Sequence, residues 1–261
     1  MAVRPDPLPE LLEPFLSQPE RAGVITDFDG TLAPIVADPK ASRPFAGATD
    51  ALRRLARVYR CVAIVSGRPA GFLLDRFGSD GLVLSGLYGL ELVRNGRIEV
   101  DPSAEPWRAI VDGAARAAEA QAPDGVGIER KGLSVVLHVR TAPEFAGWVE
   151  TWVTSEAAVT GLAVHPARMS WELRPPVGRD KGTVVGELAA GLDAACFIGD
   201  DVGDLPAFDA LDRMVADGAR GLKVAVRSPE APPEMLARAD LIVDGPPGVV
   251  ELLERLNAAS R

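Results

Sequence analysis

The sequence predicts an α/β fold, a parallel-sheet core interrupted by a smaller inserted α/β module. Three observations predict it. Uninterrupted apolar runs of strand length alternate with stretches of helical periodicity toward both ends of the chain. Between them the pattern changes to strands with one polar face. Finally, three of the core runs end in polar clusters of complementary chemistry. The core is assigned to residues 1–102 and 177–261, and the insertion to residues 103–176.

Residues 1–20 are proline-rich with an apolar patch from Leu8 to Leu16, which predicts an irregular arm or short helix packed on the body. Val24-Ile25-Thr26-Asp27-Phe28-Asp29-Gly30-Thr31-Leu32 reads as a buried strand that runs into two carboxylates and a tight turn at Gly30. Pro34, Pro39 and Pro44 mark an ordered loop. Ala48, Ala51, Leu52 and Leu55 fall at helical spacing, with Arg53, Arg54 and Arg57 opposite, and Arg57 and Arg60 read as solvated helix-end charges. Cys61–Val65 is a second buried strand that ends in Ser66-Gly67-Arg68, and Leu82–Leu84 is a third. Leu90–Val93 and Arg97–Val100 flank Asn95-Gly96, a hairpin signature.

The insertion opens with an Ala-rich helix over Trp107–Ala122. Strands follow at Val126–Arg130 and Leu133–Arg140, around Lys131-Gly132. In the second, Leu133, Val135, Leu137 and Val139 share one face, and Ser134, Val136, His138 and Arg140 the other. Phe145, Trp148, Val149, Trp152 and Val153 repeat with helical period, and both tryptophans read as core. Strands at Leu162–His165 and Met169–Arg174 complete an α-β-β-α-β-β order, and Pro175–Gly178 is a linker. The core then resumes with a helix from Lys181 to about Ala190 and a strand at Ala194–Ile198, which ends in Gly199-Asp200-Asp201-Val202-Gly203-Asp204. Strands at Leu222–Val226 and Leu241–Val243 follow, and a final helix carries Val249, Leu252, Leu253 and Leu256 on one stripe.

The totals bound the function. A chain of 261 residues with 47% hydrophobic and 25% charged residues has the composition of a folded globular protein. A net charge of −9 disfavours nucleic acid or an anionic membrane as the main partner, while leaving room for an anionic substrate beside a local cation. The two cysteines, Cys61 and Cys196, sit in apolar runs and read as buried free thiols, which points to a reducing compartment. The first nine residues contain three prolines and no apolar stretch, unlike a signal peptide. No segment reaches the roughly 18 uninterrupted apolar residues of a membrane span. The expectation is a cytoplasmic protein.

The chemistry lies at the strand ends, where open α/β sheets bind ligands. Strand alternation turns Asp27 and Asp29 toward one point, and two close carboxylates call for a cation or a shared proton. Mg²⁺ fits, because it takes oxygen ligands and joins carboxylates to phosphate. Together with Thr31, Ser66, Lys181 and the Asp200/Asp201/Asp204 cluster, these residues are the set that phosphoryl transfer requires. The expected roles are Asp27 as nucleophile, Asp29 as general acid and base, and Thr31 and Ser66 as donors to phosphoryl oxygens. Lys181 is expected to pair with Asp27 and the phosphate. Asp27, the Asp29 backbone carbonyl and Asp200 are expected to hold the metal, with Asp201 or Asp204 behind them. Singly, Thr31 and Ser66 also fit as helix caps, Lys181 as a surface charge, and Asp201 and Asp204 as loop or cap residues. Their joint occurrence, each at the fitting end of its element, argues for a site.

These residues resemble, in order, the four motifs of the haloacid dehalogenase-like phosphatase superfamily: Asp27-Phe28-Asp29-Gly30-Thr31, Ser66, Lys181 and Gly199-Asp200-Asp201 with Asp204. The resemblance implies a Rossmann-like core and, from the place of the insertion, a C2-type cap that closes over the active site. Within that superfamily the chain is similar over nearly its whole length to the trehalose-6-phosphate phosphatase family. The similarity rests on the opening motif through Val36, on Ser66-Gly67-Arg68, on Ile128-Glu129-Arg130-Lys131-Gly132-Leu133-Ser134 with Leu137-His138-Val139-Arg140, and on Trp171-Glu172-Leu173-Arg174-Pro175 with Lys181-Gly182. It implies substrate contacts from Arg68 and, on sugar hydroxyls, from Glu129, Lys131 and Glu172. Tyr88-Gly89 stands where the family commonly has His-Gly, and Asp200-Asp201-Val202-Gly203-Asp204-Leu205 where it commonly has D-D-x-T-D-E. The expected activity is Mg²⁺-dependent hydrolysis of trehalose 6-phosphate. The alternatives are another sugar phosphate, such as a glycosyl-phosphoglycerate or sucrose phosphate, or a weakly catalytic homologue that binds sugar phosphate in a regulatory role.

Overall fold

The computed structural model describes residues 8–36, 38–94, 96–167, 169–229 and 231–260. Residues 1–7 of the proline-rich arm and Asn95 of the hairpin signature lie outside them. In chain order the elements begin with α1 (Leu8–Ser17), β1 (Ala22–Thr26), α2 (Ala48–Leu55), β2 (Cys61–Val65), α3 (Ala70–Phe77), β3 (Val83–Gly86), β4 (Glu91–Arg94) and β5 (Arg97–Val100). They continue with α4 (Arg108–Gln121), β6 (Gly127–Arg130), β7 (Val135–His138), α5 (Ala146–Thr160), β8 (Ala163–Ala167) and β9 (Ser170–Arg174). The last are α6 (Lys181–Ala189), β10 (Ala194–Gly199), α7 (Leu205–Ala216), β11 (Arg220–Arg227), α8 (Pro233–Arg238), β12 (Leu241–Asp244) and α9 (Gly245–Leu256). The chain divides into two compact units, Met1–Ile98 with Arg179–Arg261, and Glu99–Gly178.

The first unit is built on a sheet of order β12-β11-β10-β1-β2-β3-β4-β5. The six strands from β12 to β3 are parallel, and β4 runs antiparallel to β3. Every residue of β1 and β10 is buried, as their apolar runs require of central strands covered on both faces. Alternation sends Val24, Val62, Ile64 and Ile198 to one face, against α1, α2, α3 and α9. It sends Ile25, Ala63, Val65 and Phe197 to the other, against α6, α7 and α8. The helices α3, α7 and α8 lie in stretches where no helix was predicted. Each is short or mixed in sequence, and its stability comes from the face it buries against the sheet rather than from its own periodicity. The sequence-read α1 has Leu12 and Phe15 buried. Arg57 and Arg60 are exposed beyond the end of α2.

The second unit has an antiparallel sheet of order β6-β7-β9-β8. Val135, Leu137, Leu173 and Val164 project to one face and pack on Val111, Ala114, Ala115 and Ala118 of α4 and Val149 and Val153 of α5. Trp148 and Trp152 are half-buried rather than fully internal, stacked at 6.1 Å and 15° against the margin of this core. Their position one and two turns along α5 places only one edge of each ring inward.

Phe28 anchors the turn after β1. It is fully buried, with Phe72 and Phe77 edge-on to it at 5.7 Å each. Phe28→Ala is expected to lower unfolding stability by about 3–5 kcal/mol in urea denaturation. A loss under about 1 kcal/mol would show that this packing does not hold the turn.

Candidate active site

The site forms where the strand order reverses, at the carboxyl ends of β1 and β10. The parallel register pairs Thr26 with Ile198, and the Asp27 N–H donates to the Ile198 carbonyl at 2.8 Å. Asp27 and the Gly199–Asp204 loop therefore leave the sheet side by side. Carboxylate oxygens of Asp27, Asp200 and Asp204 lie within 4.8 Å of one another, all three buried.

Two glycines make this crowding possible. Gly30 has φ +82°, and a Cβ there would lie 2.0 Å from Asp200 Oδ2. A Cβ on Gly199 would lie 2.5 Å from the Asp204 carboxylate. Asp204 also shapes its own loop. Its Oδ2 accepts from the Asp200 N–H at 2.9 Å and the Asp201 N–H at 3.2 Å, while Asp201 caps Gly203 in return.

Lys181 begins α6, whose N-terminus is capped by Asp180. Its buried ammonium meets Asp27 Oδ1 at 2.9 Å and also bonds Asp204. Burial alone would strip the ammonium of its proton, but the Asp204 and Asp27 charges outweigh it and hold the Lys181 pKa well above the ordinary value. Burial pushes the Asp27 carboxyl well up; Lys181 opposes this, and Asp204 and Asp200 add to it. Burial, followed by the Asp204 and Asp201 charges, raises Asp200 to about 7. Three carboxylates thus face one ammonium, and two negative charges remain unbalanced. The donors are all hard oxygens, so the cluster can hold a divalent cation such as Mg²⁺.

Thr31 is buried and donates to Asp200 Oδ1 at 3.1 Å. Ser66 follows β2, and its Oγ accepts from the Arg68 N–H at 3.2 Å. The Ser66–Arg68 loop is pinned by the turn after β3: Leu87 donates to the Arg68 carbonyl at 2.9 Å and Tyr88 to the Ser66 carbonyl at 3.0 Å. Leu87 and Tyr88 reach those carbonyls at φ +49° and +58°, a left-handed conformation that costs bulky residues about 1–3 kcal/mol each.

Two sequence expectations change. The Asp29 side chain does not join the carboxylate cluster. β1 ends at Thr26, and a turn in which the Leu32 and Ala33 N–H groups bond the Phe28 carbonyl breaks the two-residue alternation. Asp29 instead meets Arg68 (Nε to Oδ2 2.6 Å, Nη2 to Oδ1 2.8 Å) and Ser42 (Oγ to Oδ1 3.1 Å). Asp204, read as standing behind the metal ligands, is a full member of the cluster. Its D-D-x-x-D spacing was visible in the sequence, but the backward turn that brings its carboxylate home was not. Ser42 carried no such sign, since it lies in a proline-rich loop far from any motif.

Within the second unit, register places Glu129, Val136, Glu172 and His165 in one row across the sheet. Glu172 is buried, accepts from Ser134 Oγ at 2.5 Å and has Lys131 Nζ at 3.7 Å. Glu129 Oε2 meets His138 Nε2 at 3.0 Å. His165 was not singled out from the sequence; burial, then Arg174, lowers its pKa. The chain's two histidines thus stand on the same polar face as Glu129 and Glu172.

The trehalose-phosphatase family model matches residues 25–237. The trehalose-phosphate phosphatase of Mycobacterium avium is 35% identical over 245 residues, 89% of this chain and 61% of the relative. That of Mycobacterium marinum is 34% identical over 273 residues, 98% of this chain and 66% of the relative. The chain therefore spans less than two thirds of the length of these curated relatives. Among solved structures, the fold is similar to the C-terminal domain of Candida albicans trehalose-6-phosphate phosphatase. The TM-score is 0.75 and the identity 24%, and the match covers 96% of this chain and 97% of that one.

Two outcomes follow from the crowded carboxylates. Between the ordinary carboxylate value of 3.8 and about 7, folded metal-free protein keeps an Asp200 proton that the unfolded chain has released, so this contribution to stability falls as pH rises. Mg²⁺ binds the deprotonated form, and it is expected to raise Tm more at about pH 8 than at about pH 5. Equal increments would overturn the assignment of the cluster as the cation site, and Asp200→Asn should flatten the difference. Gly30→Ala pushes a methyl group into Asp200 and is expected to weaken Mg²⁺ binding by about 10-fold or more by calorimetry. Unchanged affinity would mean that Asp200 takes no part.

Proposed function

Because the chain belongs to the trehalose-phosphatase family, we propose that it is a Mg²⁺-dependent phosphatase that hydrolyses trehalose 6-phosphate to trehalose and phosphate. The observation that carries this reading is the buried Asp27–Lys181–Asp204–Asp200 cluster at the carboxyl ends of β1 and β10.

In the proposed reaction Asp27 attacks phosphorus while the bond from phosphorus to the sugar oxygen breaks. Asp29 gives its proton to that leaving oxygen. Water then attacks the aspartyl-phosphate, Asp29 takes back a proton, and the bond between phosphorus and Asp27 breaks. Phosphate leaves and both carboxyl groups are restored. The ammonium of Lys181 fixes the Asp27 carboxylate and neutralises part of the phosphoryl charge. Ser66 accepts a hydrogen bond from Arg68, so its own proton can be given to a phosphoryl oxygen. Thr31 keeps Asp200 oriented and supplies the second hydroxyl. A bound Mg²⁺, held by Asp27, Asp200 and the Asp29 backbone carbonyl with Asp204 or Asp201 behind them, would polarise the phosphoryl group and offset the excess negative charge.

Sugar recognition is proposed for Glu129, Lys131 and Glu172. A neutral disaccharide offers hydroxyls, which carboxylates accept from and an ammonium donates to. The close Lys131–Glu172–Ser134 group gives such contacts a fixed geometry. The two free thiols support a cytoplasmic setting.

Phosphate release with Mg²⁺ across trehalose 6-phosphate, glucose 6-phosphate, sucrose 6-phosphate and a glycosyl-phosphoglycerate tests the substrate. Preference for trehalose 6-phosphate is expected. Preference for another member would discard the substrate and keep the chemistry, and no release from any would favour a regulatory, ligand-binding role. Glu172→Ala should raise KM for the sugar phosphate by about 10- to 100-fold, from the loss of a charged hydrogen bond, and leave KM for an aryl phosphate nearly unchanged. Equal effects would make Glu172 structural.

A further inference from the structure

We infer that Arg68 is a positioning residue: with Ser42, it holds the Asp29 carboxylate in the orientation from which Asp29 exchanges its proton with the leaving oxygen and with water. The inference rests on the proposed acid–base role of Asp29.

The contact is a two-pronged ion pair. Arg68 Nε lies 2.6 Å from Asp29 Oδ2, and Nη2 lies 2.8 Å from Oδ1. A guanidinium fork of this kind fixes the plane of a carboxylate as well as its position, which a single ammonium cannot do. Ser42 Oγ supplies a further donor to Oδ1 at 3.1 Å. Among the described residues Oδ1 thus takes two donors and Oδ2 one, which leaves Oδ2 the open lone pair that proton transfer requires. The Asp29 side chain keeps 34% exposure, whereas that of Arg68 keeps 12%, so the acid is reachable and its clamp is enclosed.

The clamp is itself braced. The Arg68 guanidinium lies over the Phe72 ring at 4.7 Å, and that of Arg76 lies over the same ring at 3.3 Å. Arg76 Nε donates to the Ser42 carbonyl at 2.9 Å, and its other nitrogens reach the Phe72 and Lys40 carbonyls at 3.1 Å. Both donors to Asp29 are therefore tied to α3. Ser42 is fully buried, so its hydroxyl has little freedom to turn elsewhere. With its fork on Asp29, Arg68 serves the substrate through that carboxylate and not as a direct phosphate or sugar ligand.

Leaving-group dependence separates these roles. An alkoxide leaving group needs a proton from Asp29, whereas p-nitrophenolate departs without one. The parameter kcat/KM reports the steps through formation of the aspartyl-phosphate, before Asp29 is needed as a base. It is measured for trehalose 6-phosphate, or whichever sugar phosphate the panel identifies, and for p-nitrophenyl phosphate. Arg68→Gln is expected to lower the sugar-phosphate value by about 10²-fold, the scale of a misplaced catalytic group, and the aryl value by about threefold at most. Arg68→Lys keeps the charge but loses the fork and should fall between; if the Gln variant fails to melt cooperatively, the Lys variant carries the comparison. In an Asp29→Asn background, Arg68→Gln should cost nothing more, because a group that acts only through Asp29 has nothing left to position. Equal losses on both substrates, a change confined to KM, or additive losses in the double variant would overturn the inference. If Asp29→Asn itself affects both substrates alike, the acid–base reading fails first, and that single-variant result tells the two failures apart.

Discussion

Three carboxylates and one ammonium share a space only a few ångströms across at the carboxyl ends of β1 and β10. In a buried setting such an excess of negative charge is costly, because the groups have lost water and gained one another. Much of the surrounding structure accommodates it. Gly30 and Gly199 clear room for the carboxylates, and the Asp201–Asp204 capping box folds the loop back. The Asp180-capped start of α6 delivers Lys181 to the one point where a cation offsets part of the charge. An ion and a phosphoryl group would complete the balance, which is why an arrangement poor for stability alone suits phosphoryl transfer.

Around that centre the loops are held by side chains that bond to backbone. Arg76 and Arg43 both reach carbonyls of the loop at Lys40 and Ser42, and Glu91 accepts from the Ala70 N–H at the start of α3. The Leu87–Tyr88 turn adds strained backbone whose N–H groups hold the Ser66 loop. Strain of this kind persists only where several contacts over-determine a conformation. Here it secures the level of Ser66 beside β1. The bulky ring of Tyr88 packs on Gly67, where a Cβ would lie 2.6 Å from its hydroxyl oxygen.

The inserted unit uses a different economy. One face of its sheet is apolar and covered by α4 and α5; the other presents acids, bases and hydroxyls in register. Antiparallel sheets tolerate this division, whereas the parallel sheet of the first unit, covered on both faces, can offer polar groups only past its strand ends. The two units therefore carry different chemistry, charged phosphoryl-type groups in one and hydroxyl-type recognition groups in the other.

The sequence by itself determined the elements whose pattern has a physical period. Continuous apolar runs gave β1, β2 and β10, and alternation gave the half-polar strand β7. The motif residues Asp27, Thr31, Ser66, Lys181 and Asp200 were legible because each sits at the end of such an element. Tertiary structure alone decided what lies off the period. Asp29 left the line of Asp27 because the chain turns at once after Thr26, and its partners Arg68 and Ser42 come from two other segments. Asp204 joined the cluster through a loop closed by its own hydrogen bonds. The helices α3, α7 and α8 owe their existence to the sheet they cover, and His165 found Glu172 only through strand register. Period and propensity act along the chain, whereas a buried carboxylate's partner is set by which segments the sheet brings together, a property that no local pattern contains.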